Sequence, residues 1–228
     1  MAKYKIDNTT ILTDSGGRTL VSNDITASGT ITVTNTIKTL SPTYFTDYFP
    51  AAPIQGSTSG YSSGGQQSPN KVNYIEKFSF SSDGNSTDVG DLTDVRGYLT
   101  GQSSSASGYS SGGNNPLGMR NIIDKFPFAV DANATDVGDM TELKNQTAGQ
   151  SSPTHGYNTG GLVPSQSPSI GITIDKFTFS SDANATDVGD LSVRRYDAGG
   201  TSSPDDGYSA GGATPPSINV IDKFPFST

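Results

Sequence analysis

The chain has 228 residues, with 14 basic and 22 acidic side chains, a formal charge of −8, one histidine, and no cysteine or tryptophan. Disulfides, thiol chemistry and any single-chain multi-histidine metal site are thereby excluded, and the acidic balance argues against a nucleic-acid partner. No run of about 18 apolar residues is present to cross a membrane, and no apolar leader follows Met1. Leu, Ile, Val and Phe together number 44, about a fifth of the chain, while glycine alone numbers 27. That composition suits short strands and tight turns, not helices around one large core.

Residues 1–50 carry four basic and four acidic groups and are neutral, so the rest of the chain holds the whole −8. The segment is rich in Thr, Ile and Val, with alternations at Ile25-Thr26-Ala27 and Thr30-Ile31-Thr32-Val33-Thr34 that predict strands. Its run ILTDSGGRTLVSNDITASGTITVTNT resembles the N-terminal attachment regions of bacteriophage tail fibres and related virion appendages. The resemblance implies a β-rich segment that docks to other virion structural proteins and joins copies of the chain, a trimer being favoured. The alternative is a β-hairpin cap on the remainder of the chain.

From residue 51 the sequence repeats itself. GYSSGG at 60–65 returns at 108–113, as GYNTGG at 156–161 and as GYSAGG at 207–212. IEKFSF at 75–80 returns as I-D-K-F-x-F at 123–128, 174–179 and 221–226, and TDVGDL at 87–92 returns at 135–140 and 186–191. GQSS at 101–104 returns at 149–152 and, as GTSS, at 200–203. Four blocks in fixed order at a spacing near 48 residues define a repeat architecture. None carries apolar residues at helical spacing, so each block is predicted to be a strand. Four short strands in such a unit match one blade of a β-propeller.

Alternation places Phe78 and Phe80 on one face of their strand, as it does Phe126 and Phe128, Phe177 and Phe179, and Phe224 and Phe226. These eight rings are the expected packing layer between units. Pro127 and Pro225 cannot donate a ladder hydrogen bond, so their strands are expected to end there or to lie unpaired on that side. The doublets Gly64-Gly65, Gly112-Gly113, Gly160-Gly161 and Gly211-Gly212 are predicted to need positive φ or a close approach.

The Gly-Gly doublet after an aromatic run, then I-D-K-F, then D-V-G-D-L, resembles the kelch repeat over residues 53–228. The resemblance implies an all-β, kelch-like β-propeller of about four blades behind a small β-rich N-terminal docking segment. A kelch repeat has Trp where Val89, Val137 and Val188 stand, and its basic residue would fall at Arg96, Lys144 and Arg194. The fourth unit stops at Thr228 without its TDVGDL and GQSS strands, and residues 45–59, before the first GYSSGG, line up with the strand leading to GQSS in later units, so the N-terminal part is expected to complete the last blade and close the ring. The rival is that units meet copies from other chains.

The Asp/Asn-rich runs 83–91, 131–139 and 182–190 place oxygens at alternate positions, as a calcium loop does. They lack the closing glutamate, and turn-forming bonds to their own backbone are the expected role. The N-x-[ST] triplets at Asn8, Asn85, Asn133, Asn145 and Asn184 are read as turns, and His155 as a surface-loop residue without a nucleophile beside it. No cofactor, metal site or catalytic residue is expected. The connections after Gly-Gly are QQSPNKVN, NNPLGMRN, LVPSQSPSIGIT and ATPPSIN, and they change in length and type while the framework stays fixed. Loops on a rigid scaffold carry recognition, which makes Gln66, Gln67, Asn70, Asn114, Asn115, Met119 and Gln166 candidate receptor contacts, for a host-surface glycan or protein. The expected function is that of a non-enzymatic virion structural protein located in the phage particle. Alternatives are a cellular kelch-type scaffold that binds a protein and a glycan-active propeller enzyme.

Overall fold

The computed structural model describes residues 58–227 and the strands β1 (Lys3–Ile6), β2 (Thr9–Thr13) and β3 (Thr19–Val21). The chain divides into two compact units, Met1–Tyr48 and Phe49–Thr228. In the first, β1, β2 and β3 form an antiparallel sheet in sequence order. The alternations at 25–34 and residues 45–57 of the segment expected to close the ring lie outside the described residues, and so does the rest of the N-terminal segment expected to dock, apart from these three strands.

The second unit is all-β, and its repeats become separate antiparallel sheets. Sheet I holds β4 (Ser59–Gln67), β5 (Asn70–Ser79) and β6 (Thr87–Asp91). Sheet II holds β7 (Thr100–Ser103), β8 (Ser107–Ser111), β11 (Ile122–Pro127) and β12 (Thr135–Asp139), with a small ribbon of β9 (Asn114–Asn115) and β10 (Gly118–Met119) between β8 and β11. Sheet III holds β13 (Ala148–Ser151), β14 (His155–Thr159), β15 (Thr173–Thr178) and β16 (Thr186–Asp190). Sheet IV holds β17 (Gly199–Ser202), β18 (Asp206–Ala210) and β19 (Ile221–Pro225). Every sheet is a meander, each strand pairing with the next. The four repeated blocks are the four strands, as the sequence predicts. Among the described residues only sheets II and III have all four.

The I-D-K-F-x-F strand explains how such thin sheets find a core. Successive side chains point to opposite faces of a strand, and here both faces are covered. Along β11 and the residue after it, Asp124, Phe126 and Phe128 face sheet I, while Ile123 and Lys125 face sheet III. Phe126 packs with Ile75 and Leu92 of sheet I, and Ile123 packs with Phe177 of sheet III. Phe224 packs in the same way with Tyr157, Ile174 and Leu191. Sheets II, III and IV thus insert a Phe pair into their predecessor, and sheets I, II and III offer an Ile and a Tyr to their successor.

The geometry repeats closely. Tyr61 lies 5.5 Å from Phe126 and 4.8 Å from Phe128, Tyr109 lies 5.5 and 4.7 Å from Phe177 and Phe179, and Tyr157 lies 5.5 and 4.8 Å from Phe224 and Phe226. Gly60, Gly108, Gly156 and Gly207 sit opposite Phe78, Phe126, Phe177 and Phe224 across the ladder. A Cβ on any of them would fall 2.3 Å from the ring. The Phe ring therefore lies flat over its own sheet, which is why glycine precedes each of these tyrosines.

One expectation needs correction. Phe78 and Phe80 are 41% and 58% exposed and do not lie between sheets. No described repeat sheet precedes sheet I, so their face meets no Tyr-Ile surface among the described residues. The other six rings are packed as predicted.

Each junction is also stapled by a buried ion pair from the linker between sheets. Arg96 Nη2 bonds Asp124 Oδ2 at 2.5 Å with both side chains fully buried, and Lys144 Nζ reaches Asp175 Oδ2 at 3.0 Å in the same setting. The third pair is Arg195 with Asp222 at 2.6 Å, so the basic position is Arg195 and not Arg194. The register is set by four residues after the buried Leu or Met, which Arg194 misses by one. Thr93 and Thr141 donate to the same carboxylates through their hydroxyls at 2.7 and 2.6 Å. β11 and β19 end on Pro127 and Pro225, and β11 pairs with β12 only as far as Lys125.

Removing one member of a buried pair leaves an uncompensated charge, a cost of about 3–5 kcal/mol. Asp124→Ala is expected to lower unfolding stability in urea by about that much. Asp131→Ala, which removes the exposed partner of Lys77, is expected to leave the midpoint nearly unmoved.

Candidate functional site

The segments that differ between repeats gather along one edge of the array, because each follows the GYSSGG-type strand of its sheet. The linkers between sheets run along the same edge and tie the segments down. Asn115 Nδ2 donates to Asp94 Oδ2 at 2.7 Å, Arg120 Nε pairs with the same oxygen at 3.1 Å, and Lys71 Nζ donates to the Asn115 carbonyl at 3.2 Å. In the third segment Gln166 Nε2 donates to Glu142 at 2.9 Å while its Oε1 accepts from Arg194 Nη1 at 2.6 Å.

The candidate contacts therefore divide. Gln66, Gln67 and Asn70 are exposed on the β4–β5 hairpin. Asn114 pairs with Met119 in the β9–β10 ribbon, and its backbone N–H donates to the Gly97 carbonyl while its own carbonyl accepts from Gly97 N–H. Asn115 and Gln166 have their amides engaged in holding the segments to the linkers. Leu117, at the tip of the ribbon, is 87% exposed and was not singled out by sequence.

A second group was also missed. Tyr98, Gln146 and Asp197 occupy the same place in three successive linkers, each with φ between 53° and 59°. That left-handed conformation is uncommon for non-glycine residues. Gln146 N–H donates to the Tyr98 carbonyl and Asp197 N–H to the Gln146 carbonyl, both at 2.9 Å, so a backbone ladder crosses from linker to linker. The Gln146 amide also bonds the Asp197 carboxylate at 2.9 Å. The ladder is repeated, yet its side chains are Tyr, Gln and Asp. Their signal in the sequence was the variable residue two places after each buried cation.

Inside the array the strands β7, β13 and β17 lie side by side and line a cavity of about 800 Å³. Their contact is possible because Gly149 and Gly200 have no side chain: a Cβ would meet the carbonyls of Gly101 and Gly149 at 2.5 and 2.3 Å. Gln102 and Gln150 reach across to the carbonyls of Tyr157 and Tyr208 at 3.0 and 2.9 Å. The lining offers hydroxyls, amides, backbone and the rings of Tyr61, Phe78, Phe80, Tyr109, Phe126 and Phe128. No carboxylate, amine or imidazole is among its described residues.

The remaining candidates are framework. Asn133 and Asn184 accept from the backbone N–H of Asp91 and Asp139 in the preceding sheet, both at 3.0 Å. Asp88, Asp136 and Asp187 accept from the backbone N–H of Gly90, Gly138 and Gly189 within β6, β12 and β16, so these acids bond their own backbone in strands and not in turns. Among the described residues no group of three or more metal-ligating side chains converges. The Gly-Gly doublets all have positive φ, and Gly64, Gly112 and Gly160 approach the carbonyls of Arg96, Lys144 and Arg195 within 2.6 Å of where a Cβ would stand.

His155 is corrected from a loop to the first residue of β14, paired with Thr178, its Nδ1 2.8 Å from Thr154 Oγ1. Burial, and then the charge of Lys176, hold its pKa below the usual 6.5. The unfolded chain therefore binds this proton first as pH falls, and stability is lost below about pH 6.5. His155→Gln is expected to flatten that part of the curve of melting temperature against pH between about 7.5 and 5. No family model matches the chain, and no curated protein matches it either.

Proposed function

We propose that the chain is a non-enzymatic bacteriophage virion structural protein, a fibre or decoration appendage. Residues 1–50 dock it to the other proteins of the particle and join its copies, and the four repeat sheets are blades of a kelch-like propeller head. The head displays its variable edge for contact with a host-surface glycan or protein. One observation carries this reading: residues constant between repeats are engaged in junctions, while Tyr98, Gln146, Asp197 and the segments after Gly-Gly vary together on one edge. A rigid frame with a changeable surface is the arrangement of a recognition scaffold. The exposed amides of Gln66, Gln67 and Asn70 and the exposed ring of Tyr98 at that edge offer hydrogen bonds and stacking to a polyhydroxylated surface. Weak single contacts, multiplied over copies on one particle, give firm attachment through effective concentration.

Mass spectrometry of purified particles is expected to find the chain in fixed stoichiometry with a known structural protein, and its absence from particles overturns the reading. Replacing Tyr98 and Leu117 with Asp is expected to reduce adsorption to host cells about tenfold without reducing the copies per particle.

A further inference from the structure

The three junctions share one design, and the two ends of the array carry its unused halves. At one end, sheet I presents Glu76, Phe78 and Phe80 where sheets II, III and IV insert an acid and two rings. Phe78 and Phe80 already stand edge to face at 5.8 Å, matching 6.1, 5.8 and 5.9 Å for the three inserted pairs. At the other end, Ile221 is 69% exposed, whereas Ile75, Ile123 and Ile174 in the same position are 0%, 0% and 5%. Tyr208, the equivalent of the tyrosines that receive Phe pairs, lies on the same face of sheet IV as Ile221.

Charge repeats the match. At two junctions a lysine of one sheet bonds the first acid of its successor's turn: Lys77 to Asp131 at 2.9 Å and Lys125 to Asp182 at 3.0 Å. On the end faces the same two positions are Lys223 and the exposed Asp83. Lys223 is bonded at 3.0 Å to Asp206 of its own sheet and stays solvent-accessible.

We infer that the Phe78-Phe80 face of one copy docks on the Tyr208-Ile221 face of a second copy, head to tail. The chain builds this junction three times within itself, and among the described residues both complementary faces stay exposed, so a like molecule supplies the matching surface for each. Such an interface is heterologous, and repetition gives a closed ring or an open fibre depending on the rotation per copy. The inference stands apart from the virion location, and it requires that the ring of the proposed head be completed between copies and not within one chain.

The absence of cysteine makes the test clean. Full-length Asp83→Cys and Lys223→Cys proteins are mixed and treated with a short bismaleimide, then separated on a denaturing gel. The mixture is expected to give a covalent dimer that neither protein gives alone. Adding Phe80→Glu to the first, or Ile221→Glu to the second, is expected to cut that dimer about tenfold; both changes are at exposed sites and leave the fold intact. A mixture that yields no dimer overturns the inference. A chain carrying both cysteines that links only to itself, at monomer mass, overturns it in favour of closure within one molecule. Dimer formation unaffected by either glutamate also overturns it, because contact would then run through another surface.

Discussion

Tyrosine clasped by two phenylalanines of the next repeat is the contact on which the array depends. A sheet of three or four strands with both faces open has no interior of its own. Each here is given one by its neighbours, and the cluster around Tyr109 draws Phe177 and Ala185 from the sheet after it. Burial of one such ring contributes about 1.5–3 kcal/mol, and the offset ring pairs add about 0.5–1.5 kcal/mol. A chain only about a fifth Leu, Ile, Val and Phe can be ordered on these terms because the buried Ile, Tyr and Phe of the internal strands all serve junctions. Sparse hydrophobicity is a consequence of thin layers, not a sign of disorder.

Rings alone would not fix the register between sheets. The buried carboxylates do that, since Asp124 accepts from the Thr93 backbone N–H and hydroxyl and from Arg96 at once, leaving one linker position compatible with the pair. Arg96 Nη1 further donates to the carbonyls of Gly112 and Ile122 at 2.8 and 3.1 Å. Displacement of the linker by one residue would leave a charge and several polar groups unpaired in a dry site, a strong penalty. The apolar contacts supply most of the driving force, and the ion pairs specify which arrangement is adopted.

Much of this was legible in the residues. Repeated blocks marked the strands, period-two alternation put each Phe pair on one face, and Gly-Gly doublets marked the positive-φ turns. Other features required coordinates. The choice of Arg195 over Arg194 depends on spacing to the buried Leu191, a relation that gains meaning only once the leucine is known to anchor the linker. Gly108 has the sequence context of a turn residue, but its role is to lie beneath Phe126 across the ladder. Exposure of Phe78 could not be read locally at all, because the strand IEKFSF is equivalent to its buried counterparts and differs only in having no described neighbour on one side.

Nearest-neighbour construction also dictates where the molecule can vary. In a linear array each unit's stability is the sum of its own terms and those of two interfaces. Changes in the segments after Gly-Gly leave the Tyr-Phe contacts and buried ion pairs of both interfaces in place, so these segments range from QQSPNKVN to LVPSQSPSIGIT over a fixed frame. Sheets I and IV each lack one interface among the described residues, so each is held from one side where sheets II and III are held from two. Local opening is therefore expected to begin at the ends, and any surface that covers an end face stabilises that sheet more than contact elsewhere would. The coupling between association and end-sheet stability arises from the junction design itself, whatever the particle or cell in which the chain resides.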